Sequence, residues 1–202
     1  MRPKLFVDFD GTIVDSISAV CKVYDNRYSW QFGYTKPNPF LVNTWNFADQ
    51  CHLLEYEEVE DIFGSQSFFN YLQPYPNVIN ILKRLKNKYQ IIIVSIGTYE
   101  NISLKSMYIK EHLPFIDDFI GIVNSGAIMD KSIVNMAGTN DCTNIFIDDN
   151  ENNLYSQANT PNLIRCCYGK EYQWNEKWKK ENGRWLYDWE EVYKELMKER
   201  LF

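Results

Sequence analysis

Short apolar runs alternate along the chain with segments in which apolar residues recur at helical spacing. The first run, residues 4–7, is followed by helical spacing between Ile13 and Cys21. Further runs predict strands at 89–94, 119–123, 144–147 and 163–166, and helices at 53–63, 68–72, 78–85, 102–112, 131–136 and 185–197. Because strands and helices alternate, the pattern predicts an α/β fold, with a parallel sheet covered by helices on both faces.

The composition changes in residues 24–47. Aromatic side chains occupy eight of these positions, a third of the stretch, against 16% of the whole chain. Pro37 and Pro39 interrupt the stretch, and the regular alternation resumes after Pro74 and Pro76. This change indicates a segment of different organisation between the first strand and Pro74.

Polar groups directly follow three of the predicted strands: Asp8, Ser95 and Asp148. In open parallel sheets, ligands bind beyond the carboxyl ends of the strands, near a switch in strand order. We therefore expect these three side chains to lie along one edge of the sheet, close to one another.

The segment Asp8-Phe9-Asp10-Gly11-Thr12 carries two carboxylates that lie two residues apart. An extended backbone directs both side chains to the same side. Such a pair can divide the work of catalysis, since one carboxylate can attack while the other gives and takes a proton. The alternative is an ordinary turn at the end of a strand, in which Asp and Gly are common turn residues.

A second acidic pair, Asp148 and Asp149, follows a later apolar run. Carboxylate oxygens are hard ligands that suit Mg²⁺ better than a soft transition metal. Both residues could instead cap the helix predicted after Asn150. Two acidic clusters at one sheet edge would repel each other, and a bound cation would relieve that repulsion.

Ser95 and Lys131 lie between the two acidic pairs in the sequence. A hydroxyl and an ammonium group that face the same point would bind a phosphoryl group and neutralise charge that develops on it. Taken singly, Lys131 could be a surface lysine and Ser95 a turn residue. The order acid pair, hydroxyl, lysine, acid pair favours the catalytic interpretation.

The charge and composition exclude several classes of protein. The 21 Lys and Arg residues against 27 Asp and Glu residues give a net charge of −6, so broad attraction to nucleic acid or an anionic membrane is not expected. No apolar run is long enough to cross a bilayer, and no signal-peptide pattern is present, which predicts a soluble cytoplasmic protein. Five cysteines without C-x-x-C spacing predict reduced thiols rather than disulfides or a zinc site.

Some catalytic motifs are missing from the sequence. It has neither G-x-x-x-x-G-K-[ST] nor G-x-G-x-x-G, which argues against P-loop nucleotide hydrolysis and dinucleotide binding. His52 and His112 do not stand beside a candidate serine nucleophile, so a serine–histidine triad is not expected.

Four sequence signatures, in this order, make the chain resemble the haloacid-dehalogenase-like superfamily of aspartate-nucleophile phosphatases. They are the segment Asp8-Phe9-Asp10-Gly11-Thr12, then Ser95, then Lys131, then the pair Asp148-Asp149. Within the superfamily it is most similar to the 5'(3')-deoxyribonucleotidases. The segments that carry this closer resemblance are 68–76, 147–149, Thr160-Pro161, Cys166-Cys167 and 184–189, in the family's order. The resemblance implies a Rossmann-like core formed by residues 1–16 and 74–202, with residues 17–73 inserted as a small helical cap.

The resemblance also implies roles for the site residues. Asp8 would be the nucleophile that forms an aspartyl-phosphate, and Asp10 the acid and base. Mg²⁺ would be held by Asp8, the backbone carbonyl of Asp10, and Asp148, with Asp149 close by. The phosphate would be bound by Thr12, Ser95, Ile96 and Lys131.

The sequence departs from the family pattern at two points. The second signature reads Ser95-Ile96-Gly97 rather than Thr-Ser-Pro or Thr-Ala-Arg. A position near the base that is aromatic in the animal enzymes is Ser16 here.

Aromatic residues of the insertion provide a candidate substrate pocket. The rings of Trp45, Phe47, Phe68 and Phe69 could sandwich a nucleobase, or they could form the core of the cap. The C-terminal tryptophans are expected to pack helices against the core, and the nearby lysines to form a solvated face. The tryptophans are Trp174, Trp178, Trp185 and Trp189, and the lysines Lys177, Lys179 and Lys180.

These features predict a magnesium-dependent phosphatase that hydrolyses nucleoside monophosphates, with deoxyribonucleotides as the favoured substrates. Two alternatives stay open: a phosphatase for a sugar phosphate or phosphoglycolate, and a non-catalytic module that keeps the fold and a metal. Related enzymes are often dimers, which leaves a homodimer open.

Overall fold

The computed structural model of the chain describes residues 2–124, 126, 129–182 and 184–198. In this part of the chain, six strands form one sheet in which every neighbouring pair is parallel. They are β1 (Lys4–Val7), β2 (Gln90–Gly97), β3 (Asp118–Val123), β4 (Asn144–Asp148), β5 (Leu163–Tyr168) and β6 (Trp185–Leu186). The predicted parallel sheet is therefore confirmed.

The strand order β3-β2-β1-β4-β5-β6 places β1 at the switch point of the sheet. Phe6 pairs with Ile92 of β2 on one side and with Phe146 of β4 on the other. The chain runs outward from β1 in both directions, so the residues that follow β1 enter the crevice between the β2 and β4 ends. This crevice is where ligands bind in folds of this kind.

Helices cover both faces of the sheet. They are α1 (Ser16–Tyr28), α2 (Tyr56–Phe63), α3 (Gln66–Tyr71), α4 (Val78–Leu85), α5 (Tyr99–His112), α6 (Glu151–Ser156), α7 (Glu176–Asn182) and α8 (Trp189–Met197), with a 3-10 helix at Pro39–Leu41. Side-chain caps fix several starting points, since Asp15, Thr98 and Asp188 accept hydrogen bonds from backbone N–H groups of α1, α5 and α8.

Alternation along the strands divides the apolar residues between two cores. Leu5 and Val7 face the first core, which also contains buried residues of α1, α4, α5 and α8. Phe6 faces the second core together with Leu154 of α6 and Trp178 of α7. Both faces of β1 are thus buried, as the continuous apolar run predicts.

The segment between β1 and α4 leaves and rejoins the rest of the chain at one place. Val14 forms an antiparallel bridge with Pro74, and hydrogen bonds of 2.8 Å from Asp15 N to Gln73 O and 2.9 Å from Tyr75 N to Ile13 O flank it. Between these crossings, α1, α2 and α3 contact one another. Their buried residues join the first core of the sheet.

Two helix predictions were wrong. Residues 131–136 form a turn rather than a helix, because the side-chain amides of Gln157 and Asn144 bind the carbonyl oxygens of Lys131, Val134 and Met136. The predicted helix at 185–197 begins only at Trp189, since Trp185 and Leu186 pair with β5 as strand β6. Helix α7 was not predicted.

Cys21, Cys51, Cys166 and Cys167 are buried thiols, as expected of reduced cysteines, whereas Cys142 is half-buried. Among the described residues, none of the helices combines the length and apolar character that crossing a membrane requires.

Candidate active site

The turn after β1 brings the first acidic pair to the switch point. Asp8 is buried at the strand end, where its N–H donates to Ile147 O at 2.9 Å. Gly11 has φ +67, and a Cβ at this position would lie 2.5 Å from Asp149 Oδ2. A glycine is therefore required for the turn to approach the second acidic pair.

Three buried carboxylates form a cluster at the ends of β1 and β4. Asp8, Asp148 and Asp149 each offer an oxygen, and these oxygens all lie within 4.8 Å of one another. Asp148 Oδ1 accepts hydrogen bonds from Asn150 N at 2.9 Å and Asn153 Nδ2 at 3.2 Å. The N-cap of α6 is Asn150, so neither aspartate serves as the cap of that helix.

Lys131 lies fully buried against this cluster. Its Nζ donates to Asp148 Oδ2 at 2.6 Å and also pairs with Asp8. Burial opposes the charged form of Lys131, but the Asp148 and Asp8 carboxylates outweigh burial and raise the pKa of the ammonium group. Lys131 is therefore a buried cation of the site and not a surface lysine.

One lysine does not balance three carboxylates. Burial, opposed by Lys131 and reinforced by Asp148, raises the pKa of Asp8 to about 7. Burial, followed by the charges of Asp8 and Asp148, raises the pKa of Asp149 well above its usual range. A divalent cation among these oxygens would supply the missing positive charge, and an all-oxygen donor set fits Mg²⁺.

A second buried lysine, which the sequence prediction missed, holds Asp10. Lys105 Nζ forms an ion pair with Asp10 and donates to Ser95 Oγ at 2.8 Å. Ser16 Oγ donates to the other carboxylate oxygen of Asp10 at 2.7 Å. The helical spacing of α5 was the signal available in the sequence. Lys105 falls on the same buried helix face as Asn101, Tyr108 and Ile109.

A cavity of about 400 Å³ opens above these groups. Of the charged residues that line it, Asp8, Asp10, Lys105 and Asp149 together are called the charged floor, while Glu60 comes from α2. Four rings that line it, Trp45, Phe47, Phe63 and Trp174, are called the aromatic wall. The cavity therefore places a candidate nucleophile and a set of aromatic rings around one space.

The aromatic wall is assembled from separate segments. Trp45 meets Trp174 edge-on, with ring centroids 5.6 Å apart, and is nearly parallel to Phe63 at 6.4 Å. Trp174 stacks on Tyr172 at 4.1 Å, and its Nε1 donates to Asp149 Oδ2 at 3.1 Å. Trp174 thus connects the aromatic wall to the charged floor.

Other sequence-predicted residues occupy different positions. Phe68 and Phe69 do not line this cavity; they are buried in the first core, where the Phe68 ring packs on Phe63 at 4.9 Å. Thr12 is fully buried, and its Oγ1 has no hydrogen-bond partner among the described residues. Ile96 is half-buried and lines the cavity beside Ser95.

The C-terminal tryptophans divide into two groups. Trp178 and Trp189 are almost fully buried and pack in the two cores, as expected, and Trp185 is half-buried against the second core. Trp174 is half-buried against the first core, as expected, and it also lines the cavity. The difference arises because Trp174 lies in the loop between β5 and α7, near the carboxyl ends of the strands.

Solved structures share this fold over almost the whole chain. A predicted phosphatase from Clostridium acetobutylicum has a TM-score of 0.63 at 16% identity, covering 98% of this chain and 99% of its own. A predicted phosphoglycolate phosphatase from Haemophilus somnus has a TM-score of 0.60 at 17% identity, covering 96% and 97%. A HAD-hydrolase from Bacillus subtilis, solved bound to magnesium, has a TM-score of 0.59 at 13% identity, covering 98% and 100%.

No curated protein sequence matches the chain. The family model described as "5' nucleotidase, deoxy (Pyrimidine), cytosolic type C protein" matches residues 2–202. The sheet, the buried acids and the neighbouring structures agree with this match. The chain therefore belongs to this nucleotidase family of haloacid-dehalogenase-like hydrolases, and it is a phosphoric monoester hydrolase.

Proposed function

We propose that the protein is a magnesium-dependent phosphatase that hydrolyses nucleoside monophosphates, with deoxyribonucleotides as the favoured substrates. One observation carries the proposal: Asp8 and Asp10 open into the same cavity as the aromatic wall. The phosphate of a nucleotide would lie on the charged floor, while its base would contact the rings. The family match supports this substrate class.

In the proposed reaction Asp8 is the nucleophile. An oxygen of Asp8 attacks phosphorus while the bond from phosphorus to the nucleoside oxygen breaks, and Asp10 gives a proton to the departing oxygen. Water then attacks the aspartyl-phosphate, Asp10 accepts a proton from that water, and the bond from phosphorus to Asp8 breaks. The products are a nucleoside, inorganic phosphate and the regenerated enzyme.

The phosphoryl group would be bound by Lys131 and Ser95. Lys131 already neutralises Asp8 and Asp148, and its ammonium group lies next to the proposed nucleophile. The hydroxyl of Ser95, at the carboxyl end of β2, faces the same cavity. These two donors would bind the phosphoryl oxygens as negative charge moves onto them.

Mg²⁺ would be held by Asp8, Asp148 and the backbone carbonyl of Asp10, with Asp149 close by. When bound, the ion would offset the negative charge of the carboxylates and of the phosphoryl group. The clustering of Asp8, Asp148 and Asp149 supports this assignment, and so does the magnesium-bound neighbour from Bacillus subtilis.

Residues 17–73 would act as the cap that covers the nucleoside, with residues 1–16 and 74–202 as the catalytic core. The single point at which the chain enters and leaves the segment, Val14 and Pro74, supports this division. Three rings of the aromatic wall come from this segment: Trp45, Phe47 and Phe63.

A smaller phosphate, such as phosphoglycolate, is the second candidate substrate. The Haemophilus somnus neighbour supports it, and so do the polar side chains of Asn124, Asn152 and Asn153, which line the same cavity. Inhibition by free nucleosides distinguishes the two, because only a stacking pocket should bind the leaving nucleoside.

Phosphate release from a panel of nucleotides and small phosphates, with and without a chelator, tests the proposal. We expect turnover of nucleoside monophosphates that chelation abolishes and that Asp8→Asn lowers by about 10⁴-fold or more. Turnover of Asp8→Asn equal to that of the native enzyme would remove Asp8 as the nucleophile. A folded native protein that hydrolyses none of these phosphates would favour a non-catalytic role.

A further inference from the structure

The proposed acid and base, Asp10, has a donor on each of its carboxylate oxygens. Ser16 Oγ donates to Oδ1 at 2.7 Å, and Lys105 Nζ pairs with Oδ2. Each carboxylate oxygen has two lone pairs, so these contacts leave a second direction on each oxygen for the proton that Asp10 gives to the leaving group and later takes from water. The orientation of the Asp10 carboxyl group is therefore set from two sides before a substrate enters.

Lys105 reaches this position from the middle of α5, with only 1% of its side chain exposed. A buried ammonium group costs stability unless charged and polar partners compensate it. The hydrogen-bonding partners of its Nζ are Asp10, Ser95 Oγ at 2.8 Å and, at 3.5 Å, the carbonyl oxygen of Ile96. All three belong to residues that line the cavity, so the buried charge is directed at the site.

The contact with Ser95 also orients the Ser95 hydroxyl. A serine hydroxyl has one hydrogen, and its oxygen here accepts the hydrogen bond from Lys105. The hydrogen of Ser95 is therefore available for an acceptor in the cavity, such as a phosphoryl oxygen.

We propose that Lys105, assisted by Ser16, is a positioning residue that holds Asp10 against the leaving-group oxygen, and that its contact with Ser95 adds a smaller effect that both kinds of substrate share. The proposal rests on the phosphatase function and on Asp10 as its acid. Lys105 acts through Asp10 and Ser95 rather than on the reacting atoms, so its effect depends on how much the leaving group needs a proton.

Two substrates that differ in their leaving groups distinguish this positioning role from direct binding of the phosphate by Lys105. When a nucleoside departs, the electrons of the broken P–O bond go to an alkoxide oxygen, which needs the proton of Asp10. When p-nitrophenolate departs, the anion is stable without that proton. Because kcat/KM reports only steps up to loss of the leaving group, the later hydrolysis of the aspartyl-phosphate does not obscure the comparison.

The experiment compares kcat/KM for a nucleoside monophosphate and for p-nitrophenyl phosphate in Lys105→Met. We expect a loss of about 10²-fold with the nucleotide and of less than about tenfold with p-nitrophenyl phosphate. Lys105→Arg should recover part of the nucleotide activity. Lys110→Met removes an exposed lysine of the same helix and should change neither value.

Equal losses with the two substrates would overturn the proposal, because they would show that Lys105 acts on the phosphoryl group or on the fold. No loss with either substrate would overturn it as well. If Lys105→Met does not fold, Ser16→Ala carries the test, and we expect a loss of about three- to tenfold that is confined to the nucleotide.

The outcome for Lys105 is separable from that for the nucleotide substrate. A native enzyme that hydrolyses p-nitrophenyl phosphate and phosphoglycolate but no nucleotide would refute the nucleotide proposal alone. Phosphoglycolate, whose leaving oxygen also needs a proton, then replaces the nucleotide in the comparison. A native enzyme inert toward all these phosphates would overturn both proposals.

Discussion

The charged floor and the aromatic wall line one cavity but are built differently. The floor residues Asp8 and Asp149 stand at strand ends, and Lys105 is held by charge and hydrogen-bond partners at 1% exposure. The wall comes from loops and a short helix, its rings meet at 5.6–6.4 Å, and Trp45 is 48% exposed. The chemistry is therefore expected to depend on the floor, and the choice of substrate on the wall.

Lys131→Met should give the largest effect in this comparison. Lys131 lies beneath the floor and compensates Asp8 and Asp148, so its loss removes the cation proposed to bind the phosphoryl group. We expect kcat/KM to fall by about 10²–10³-fold for p-nitrophenyl phosphate and nucleotides alike. Lys177→Met, at a side chain that is 63% exposed, is the control and should not change activity. A loss confined to nucleotides would contradict the distinction between floor and wall.

Gly11→Ala should destabilise the floor through the backbone. The substitution combines φ +67 with a Cβ 2.5 Å from Asp149 Oδ2, so we expect the free energy of unfolding to fall by at least about 1–2 kcal/mol. Gly169→Ala is a matched control, since Gly169 has φ +87 but no atom within 4 Å of the added Cβ. Urea unfolding measures both variants. Equal destabilisation would show that the contact with Asp149 is unimportant.

Trp45→Ala should affect the wall alone. Stacking of a base on an aromatic ring contributes about 1–3 kcal/mol, so we expect KM for nucleotides to rise by about 5- to 150-fold. The kcat/KM for phosphoglycolate should change by less than about twofold, because a small phosphate does not reach the ring. Trp30→Ala, at a ring that is 79% exposed in the same insertion, should leave both values unchanged.

The sequence allowed much of the site around the charged floor to be predicted. Asp8, Ser95 and Asp148 stand at the carboxyl ends of apolar strands, and parallel pairing with β1 between β2 and β4 brings such ends together whatever the loops do. Lys105 escaped prediction for a physical reason. The direction of the Lys105 side chain depends on how α5 is rotated against the sheet, and a lysine in a helix is ordinarily exposed.

The wall was less predictable because ring positions depend on tertiary packing. Phe63 and Phe68 lie five residues apart in the insertion, yet Phe63 lines the cavity while Phe68 is buried beneath it. Trp174 and Trp178 show the same limit, since only the first is placed in a loop above the strand ends. Composition shows that a segment is aromatic, but it does not show which rings face a ligand.

The smallest expected effect is the pH dependence of the metal-free protein. Burial raises the pKa of Asp8 to about 7 from its usual 3.8, and it also raises the pKa of Asp149. At pH values between the pKa in the unfolded chain and the raised pKa in the folded chain, the folded chain retains protons that the unfolded chain has released. The free energy of unfolding should therefore fall as the pH rises through this window.

Magnesium should oppose this trend, because it binds ionised carboxylates and displaces their protons. The stabilisation by Mg²⁺ is thus expected to be larger at pH 8 than at pH 5.5, as urea unfolding with magnesium or with a chelator would measure. Asp8→Asn, which cannot ionise, should flatten the pH dependence of the metal-free protein. A metal-free protein that gains stability between pH 5.5 and pH 8 would contradict the assignment of the floor as a cluster of under-compensated acids. The wall has no comparable group, so Trp45→Ala should keep the native pH dependence.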